Sequence, residues 1–294
     1  MNLRPVGFML VSAIAFAVMY VFAKRLSHYG GYELTLFRGI GTFLLAAAYL
    51  LIKRVPLRGN QPRWLLARGL TGGSSLLLFF IALDSVPVTA AVAIRYLSPF
   101  FAVLAAALWL GERVRPVQWF YLAIAFAGVV LLKGVDARIE GSGLWLVLVS
   151  ALLGGMTFAI IRKLGKTEHP LVIVCYFTGT ATLLGFIGTL VVPGAWTTPQ
   201  GQDWAYLIGL GVVGLIGQIF MTIAMQTGPA SKIMPLKYLE TVFLLGLGAL
   251  YLGESYSWLA LLGMLLIIGG NVANVFSKSP DQPNTSPNSA SSST

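Results

Sequence analysis

Apolar positions along this chain fall into long unbroken runs separated by short polar or Gly/Pro-rich segments. The runs are Val6–Ala23, Leu34–Ile52, Gly69–Leu83, Val88–Leu110, Val117–Leu132, Leu144–Ile161, Leu171–Val192, Trp204–Met225, Ile233–Leu252 and Trp258–Phe276. A helix needs about 20 apolar residues to cross a hydrocarbon core of about 30 Å, and these runs approach or reach that length. In lipid every backbone polar group must be paired within its own segment, so each run is predicted to be a helix. Breaks such as Lys53–Arg63, Gly111–Pro116, Gly134–Gly143, Lys163–Pro170 and Pro193–Asp203 are the predicted loops. Trp64, Trp109, Trp119, Trp145, Trp196, Trp204 and Trp258 fall at predicted helix ends or in loops, where an interfacial aromatic belt belongs. The last residues, 279–294, are Ser, Pro, Asn and Thr for the most part and predict a disordered tail.

Composition removes the soluble alternative. Only 10% of residues are charged and 57% are hydrophobic, with a mean hydropathy of +0.81; a water-facing domain carries about 25% charged residues. Arg4 and the run after it imitate a secretion leader, but no small-residue cleavage site ends the run, so it reads as a retained first span. A single cysteine, Cys175, excludes a disulfide framework.

The net charge of +10 changes the picture only through its distribution. Ten spans put both termini on one side. That side holds Arg4, Lys53, Arg54, Arg58, Arg63, Arg68, Arg113, Arg115, Arg162, Lys163, Lys166 and Lys278; the other holds Lys24, Arg25, Lys133 and Arg138. The bias predicts cytoplasmic termini, in a multi-pass protein of a cell inner membrane. The basic surplus sets topology, and nucleic acid is not an expected partner.

The chain also repeats itself. Pro87–Glu112 aligns without a gap on Pro229–Glu254, 142 residues later, with identities at Pro87/Pro229, Tyr96/Tyr238, Leu97/Leu239, Phe101/Phe243, Ala107/Ala249, Leu108/Leu250, Leu110/Leu252, Gly111/Gly253 and Glu112/Glu254. Arg95 meets Lys237. A shift of 138 sets Val11-Ser12-Ala13 on Val149-Ser150-Ala151, and Lys24-Arg25-Leu26 on Arg162-Lys163-Leu164. Spans one to five thus correspond to six to ten, and an odd number of spans inverts the second copy. The fold class predicted is an all-α membrane protein, ten transmembrane helices as two inverted five-helix repeats, with units 1–139 and 140–278 and the tail 279–294. Inverted repeats of this kind typify secondary transporters, with the substrate near the midplane.

Tyr96-Leu-Ser-Pro-Phe-Phe followed by Trp109-Leu-Gly-Glu112-Arg resembles the fourth-helix signature of the drug/metabolite transporter superfamily, in its ten-helix EamA-type branch. Tyr238-Leu-Glu-Thr-Val-Phe followed by Tyr251-Leu-Gly-Glu254 resembles the ninth-helix signature, with Thr241 where a proline is common. The resemblance implies a carrier working by alternating access, its cavity lined mainly by helices 1, 3, 4, 6, 8 and 9, with 5 and 10 packed outside. Members move amino acids, nucleobases, sugars, cofactors and xenobiotics, often outward.

Charges inside spans carry the most information, since each costs at least about 2.5–3.5 kcal/mol at a helix centre. The candidates are Arg38, Arg95, Lys232, Lys237 and Glu240. Arg95 and Lys237 sit eight residues past Pro87 and Pro229, about 12 Å along a helix, and both reach the midplane from opposite faces. The functional reading is a cationic pair for a carboxylate or phosphate, which an Arg fork suits well. The structural reading is that Lys237 and Glu240, three apart, neutralise each other. Glu240 is the candidate coupling residue. Arg38 is expected to snorkel or pair with Glu33, and Lys232 to snorkel. Tyr20, Phe79, Phe158, Gln218, Met221, Tyr96 and Tyr238 complete the candidate substrate site, although aromatic residues at helical spacing are more often plain packing. Glu112 and Glu254 read as structural, and Asn271 and Asn274 as interhelical glue.

The sequence therefore predicts a secondary transporter of a small anionic or zwitterionic metabolite, such as an amino acid or organic acid, working as monomer or homodimer without cofactor or metal. A multidrug exporter of lipophilic compounds is the alternative; it would prefer a buried acid on helix 1, where there is none. An intramembrane enzyme or a receptor is disfavoured, because His28 and His169 lie in loops and no acid–nucleophile constellation is present.

Overall fold

The computed structural model describes residues 3–26, 28–82, 94–133, 141–194, 196–252 and 257–277. Among them are ten long helices: α1 (Arg4–Arg25), α2 (Gly31–Ile52), α3 (Pro62–Ala82), α4 (Ser98–Leu110), α5 (Pro116–Lys133), α6 (Gly141–Leu164), α7 (Pro170–Val191), α8 (Asp203–Thr227), α9 (Leu239–Leu252) and α10 (Trp258–Phe276). Prolines open α3, α5 and α7, where a missing N–H removes a donor that would be orphaned anyway. Gly111, at φ 64°, ends α4 with its N–H on the Ala106 carbonyl, a left-handed cap that a β-carbon would disfavour. Five helices, α1, α2, α6, α7 and α8, are long and apolar enough to cross a membrane by length and composition. Positions 88–93 of the fourth predicted span, Pro87, Glu254 and the tail 279–294 lie outside the described residues.

Two predicted spans are not continuous. A helical turn at Ile94–Arg95 is interrupted at Tyr96–Leu97 before α4 begins. The corresponding ninth span is split into a short turn, Ala230–Ile233, a 3-10 stretch, Met234–Tyr238, and α9. Proline is the physical cause, because it removes the donor to the carbonyl four residues earlier. For Pro235 that carbonyl is Ser231, and Asn274 Nδ2 of α10 donates to it at 2.8 Å instead. Asn274 thus bridges helices as expected. Asn271 does not: its amide donates to the Ile267 carbonyl of its own helix at 2.7 Å.

The packing exchanges the two halves. α2 lies along α7 and α5 along α10, while α1 packs on α8 as α6 packs on α3, and α9 on α1 as α4 on α6. Gly39 abuts Thr182 and Thr178, and Gly185 abuts Leu36 and Tyr32, so α2 and α7 run antiparallel. One hydrogen bond is made twice. Ser12 of α1 donates to the Gly217 carbonyl of α8 at 2.8 Å, and Ser150 of α6 donates to the Ser75 carbonyl of α3 at 2.6 Å. Ser12 and Ser150 are 138 residues apart, Ser75 and Gly217 142 apart, the two shifts of the sequence repeat. Close backbone approach supports this packing: Gly41 and Gly211 face each other across α2 and α8, where a β-carbon on either would crowd the other's Cα.

Candidate functional site

The two helix breaks meet at the centre of the bundle. The Tyr238 hydroxyl donates to the Tyr96 carbonyl at 2.9 Å, and the Thr241 hydroxyl donates to the Tyr96 hydroxyl. The two tyrosine rings pack edge-to-face with centroids 5.6 Å apart. Tyr238 is fully buried and Tyr96 nearly so. These two predicted site residues therefore join the breaks together, with their polar atoms already committed to each other and to Thr241. Thr241, at the position where proline is common, supplies one of those bonds.

The residue before each tyrosine carries the charge. The Arg95 guanidinium sits over the Phe79 ring of α3 at 4.4 Å. Lys237 Nζ lies 2.8 Å from Glu240 Oε2 and 5.3 Å over the Phe16 ring of α1. The Tyr20 hydroxyl lies against the Glu240 carboxylate, with Arg38 and Arg95 close enough to act on it electrostatically. Tyr20 keeps 36% of its surface exposed even though charges from three other segments surround its hydroxyl end. Among the described residues neither Arg38 nor Arg95 forms an ion pair or a hydrogen bond, so Arg38, Arg95 and Lys237 face the single carboxylate of Glu240.

Arg38 departs from expectation. Glu33 does not pair with it, because its carboxylate accepts the N–H of Gly30 at 3.0 Å and the N–H of Thr197 from a distant loop. Arg38 instead lines a small gap with Gly39, Thr42, Leu76, Phe177, Thr178 and Gln218. Gln218 is buried, and its Oε1 has no hydrogen-bond partner; Thr222 Oγ1, one turn on, has none either. Met221 and Phe158 are buried in the main apolar core. The structure thus gathers Arg95, Lys237, Glu240, Tyr20 and Phe79 into one cluster and sets Gln218 beside Arg38.

Lys232 does not snorkel. It is 7% exposed, and its ammonium donates to the carbonyls of Val275 at 3.3 Å and Ser277 at 2.8 Å, closing the end of α10. Glu112 is structural: Arg162 Nε donates to one carboxylate oxygen and the Ala230 N–H to the other at 3.0 Å. Arg68, read from sequence as a charge at the end of a span, is the residue missed. It lies inside α3 at 1% exposure. The apolar Trp64-Leu65-Leu66-Ala67 ahead of it was the available signal that the span starts earlier.

The comparisons with known proteins bear on the family and the fold. The profile of the EamA-like transporter family matches residues 3–133 and 141–276. The pseudopaline exporter CntI of Pseudomonas aeruginosa is 31% identical over 271 residues, covering 90% of this chain and 93% of its own. Solute carrier family 35 member G1 of Homo sapiens is 26% identical over 92% of this chain and 78% of its own. A riboflavin transporter of Rhizobium johnstonii is 28% identical over 78% and 76%. A crystal structure with 22% identity superposes with TM-score 0.81 over 92% of this chain and 97% of its own, a likeness of fold alone. With both halves matched to one profile, the chain belongs to the EamA-like transporter family, and is a membrane transporter of a small molecule rather than an enzyme.

Proposed function

We propose that this protein is a secondary transporter that moves a small anionic or zwitterionic metabolite, such as an amino acid or organic acid, outward by alternating access. The observation that carries this reading is the charge imbalance at the centre. Among the described residues Arg95 rests on an aromatic ring with no acid paired to it, while Arg38 stands near it and Lys237 already has Glu240. A solute carboxylate supplies the missing negative charge and offers two oxygens to a guanidinium fork. Glu240 is the coupling residue in this scheme. Its protonation releases Lys237 to a second anionic group, so binding and proton uptake favour one another. The broken helices provide the hinges, since half-helices meeting at the midplane are the usual construction of transporter sites. The name of the CntI relative supports the outward direction. The two repeats run inverted in this reading, the termini are cytoplasmic, the membrane is a bacterial inner membrane, and one chain encloses one cavity.

Ligand-induced thermal stabilisation of the purified protein tests the proposal, because a ligand that binds only the native state must raise its apparent stability. The panel is glutamate, citrate, inorganic phosphate and tetraphenylphosphonium, with Arg95→Ala and Lys237→Ala beside the wild type. Stabilisation by an anion or zwitterion that both substitutions abolish is the expected result. Stabilisation by tetraphenylphosphonium alone would establish the lipophilic-compound alternative and sink the anion reading.

A further inference from the structure

Arg68 has no place in the scheme above, yet it is the most deeply buried cation described. It is 1% exposed, and its Nε and Nη1 have no hydrogen-bond partner. The guanidinium stacks on the Phe177 ring of α7 at 4.5 Å. It reaches across Gly72, one turn further into the bundle, where a β-carbon would collide with Nη1 and would lie 2.9 Å from the Phe177 ring. The glycine therefore leaves the guanidinium its seat. Gly72 is ten residues into α3, about 15 Å from its start, so the charge is delivered near mid-membrane.

Three ordinary explanations fail. Snorkelling needs a head group that reaches water, and Arg68 Nε and Nη1 are buried in a residue 1% exposed. Pairing needs an acid, and among the described residues the charge acting on Arg68 is that of Arg38, which repels it. An aromatic face offsets only part of the cost of an unpaired buried guanidinium. What remains is a partner from outside the chain. The same Phe177 ring lines the gap that holds Arg38 and Gln218 Oε1, so the Arg68 seat and the central gap share a wall.

We infer that Arg68 forms a second anion subsite, which holds the oxyanion group of the transported solute on the α3–α7 side of the bundle. It lies inside the bundle rather than on a lipid-facing surface, so the occupant is a soluble carboxylate or phosphate. The inference rests on the proposed passage of an anion through the protein. It adds a station between the terminus-side end of α3 and the Arg95 site, with Phe177 as the partition between them.

Equilibrium binding of radiolabelled inorganic phosphate to the full chain in phosphatidylcholine nanodiscs is the test. The wild type is expected to show two saturable classes of site. Arg68→Gln removes one class, and Arg95→Gln removes the other. Gly72→Ala keeps the arginine but takes its seat, and weakens the Arg68-dependent class about tenfold, the effect of one modest ion pair. Melting without phosphate gives a separate readout: removing an unpaired buried charge should leave Tm unchanged or raised. Phosphate binding by Arg68→Gln equal to that of the wild type overturns the subsite. A lowered Tm for that variant also overturns it, since Arg68 would then be a prop between α3 and α7. If Arg95→Gln binds like the wild type while Arg68→Gln loses a class, the central reading fails and the subsite stands.

Discussion

Arg95 and Lys237 occupy the same place in two copies of one unit, but their neighbours differ. Three residues on from Lys237 stands Glu240; three residues on from Arg95 stands Ser98. The second copy therefore neutralises its cation internally at 2.8 Å, and the first leaves its cation on the Phe79 ring. A buried pair is costly to desolvate and returns that cost only when its geometry is good. An unpaired cation inside a span is dearer still, and is tolerated where a ligand completes it. The two equivalent positions are therefore unlike at rest: Lys237 is engaged by Glu240, whereas Arg95 is the one that, in the proposed scheme, meets a solute first.

The comparison breaks most sharply at Glu240. Glu240→Gln strands the Lys237 ammonium in the core and should destabilise the protein by about 3 kcal/mol, read as a lower midpoint in denaturant at unchanged slope. Replacing both partners, with Lys237→Met and Glu240→Met together, should recover most of that loss. If the double variant is as unstable as the single, the pair is not a self-contained unit. The converse change sharpens the point: Ser98→Asp gives the first copy the acid it lacks. It should weaken binding of the stabilising anion about tenfold by titration calorimetry, and unaltered affinity would mean that Arg95 does not face the solute. A smaller effect is expected where the breaks join. Tyr238→Phe removes the bond to the Tyr96 carbonyl, and should lower stability by about 1 kcal/mol in the same denaturant titration. The smallest lies away from the charges: Gly211→Ala crowds Gly41 across α2 and α8, and should lower Tm by a few degrees or less.

The helices were legible because lipid leaves the backbone no alternative to internal pairing. The span Trp258–Phe276 coincides with α10, and most other ends lie close to those predicted; the exceptions are the start of α3, at Pro62 rather than Gly69, and the starts of α4 and α9, which follow the breaks. The breaks at Tyr96–Leu97 and Met234–Tyr238 were not legible as breaks, since they lie within apolar runs and the residues that satisfy them come from elsewhere, such as Asn274. Charges read locally fared worst. Glu33 and Arg38 share one helix five residues apart, which invites pairing, but the Thr197 N–H arrives from 164 residues away and takes the carboxylate. Arg68 borders a run of glycines, and hydropathy placed the span boundary just beyond it. The cluster of Arg95, Lys237, Glu240 and Tyr20 was legible because the repeat set two of its members in register before any fold was known.

The repair of the Pro235 break has a mechanical side. Asn274 holds the Ser231 carbonyl, and Lys232 holds the carbonyls of Val275 and Ser277, so the end of α10 is riveted to the turn that enters the ninth span. α10 pairs chiefly with α5, away from the charged centre, and presents many of its large apolar side chains outward. The two pieces must travel together. In the proposed alternating-access cycle, a helix bathed in lipid would thereby be the lever arm of the break, and bilayer thickness or lateral pressure would become a load on transport.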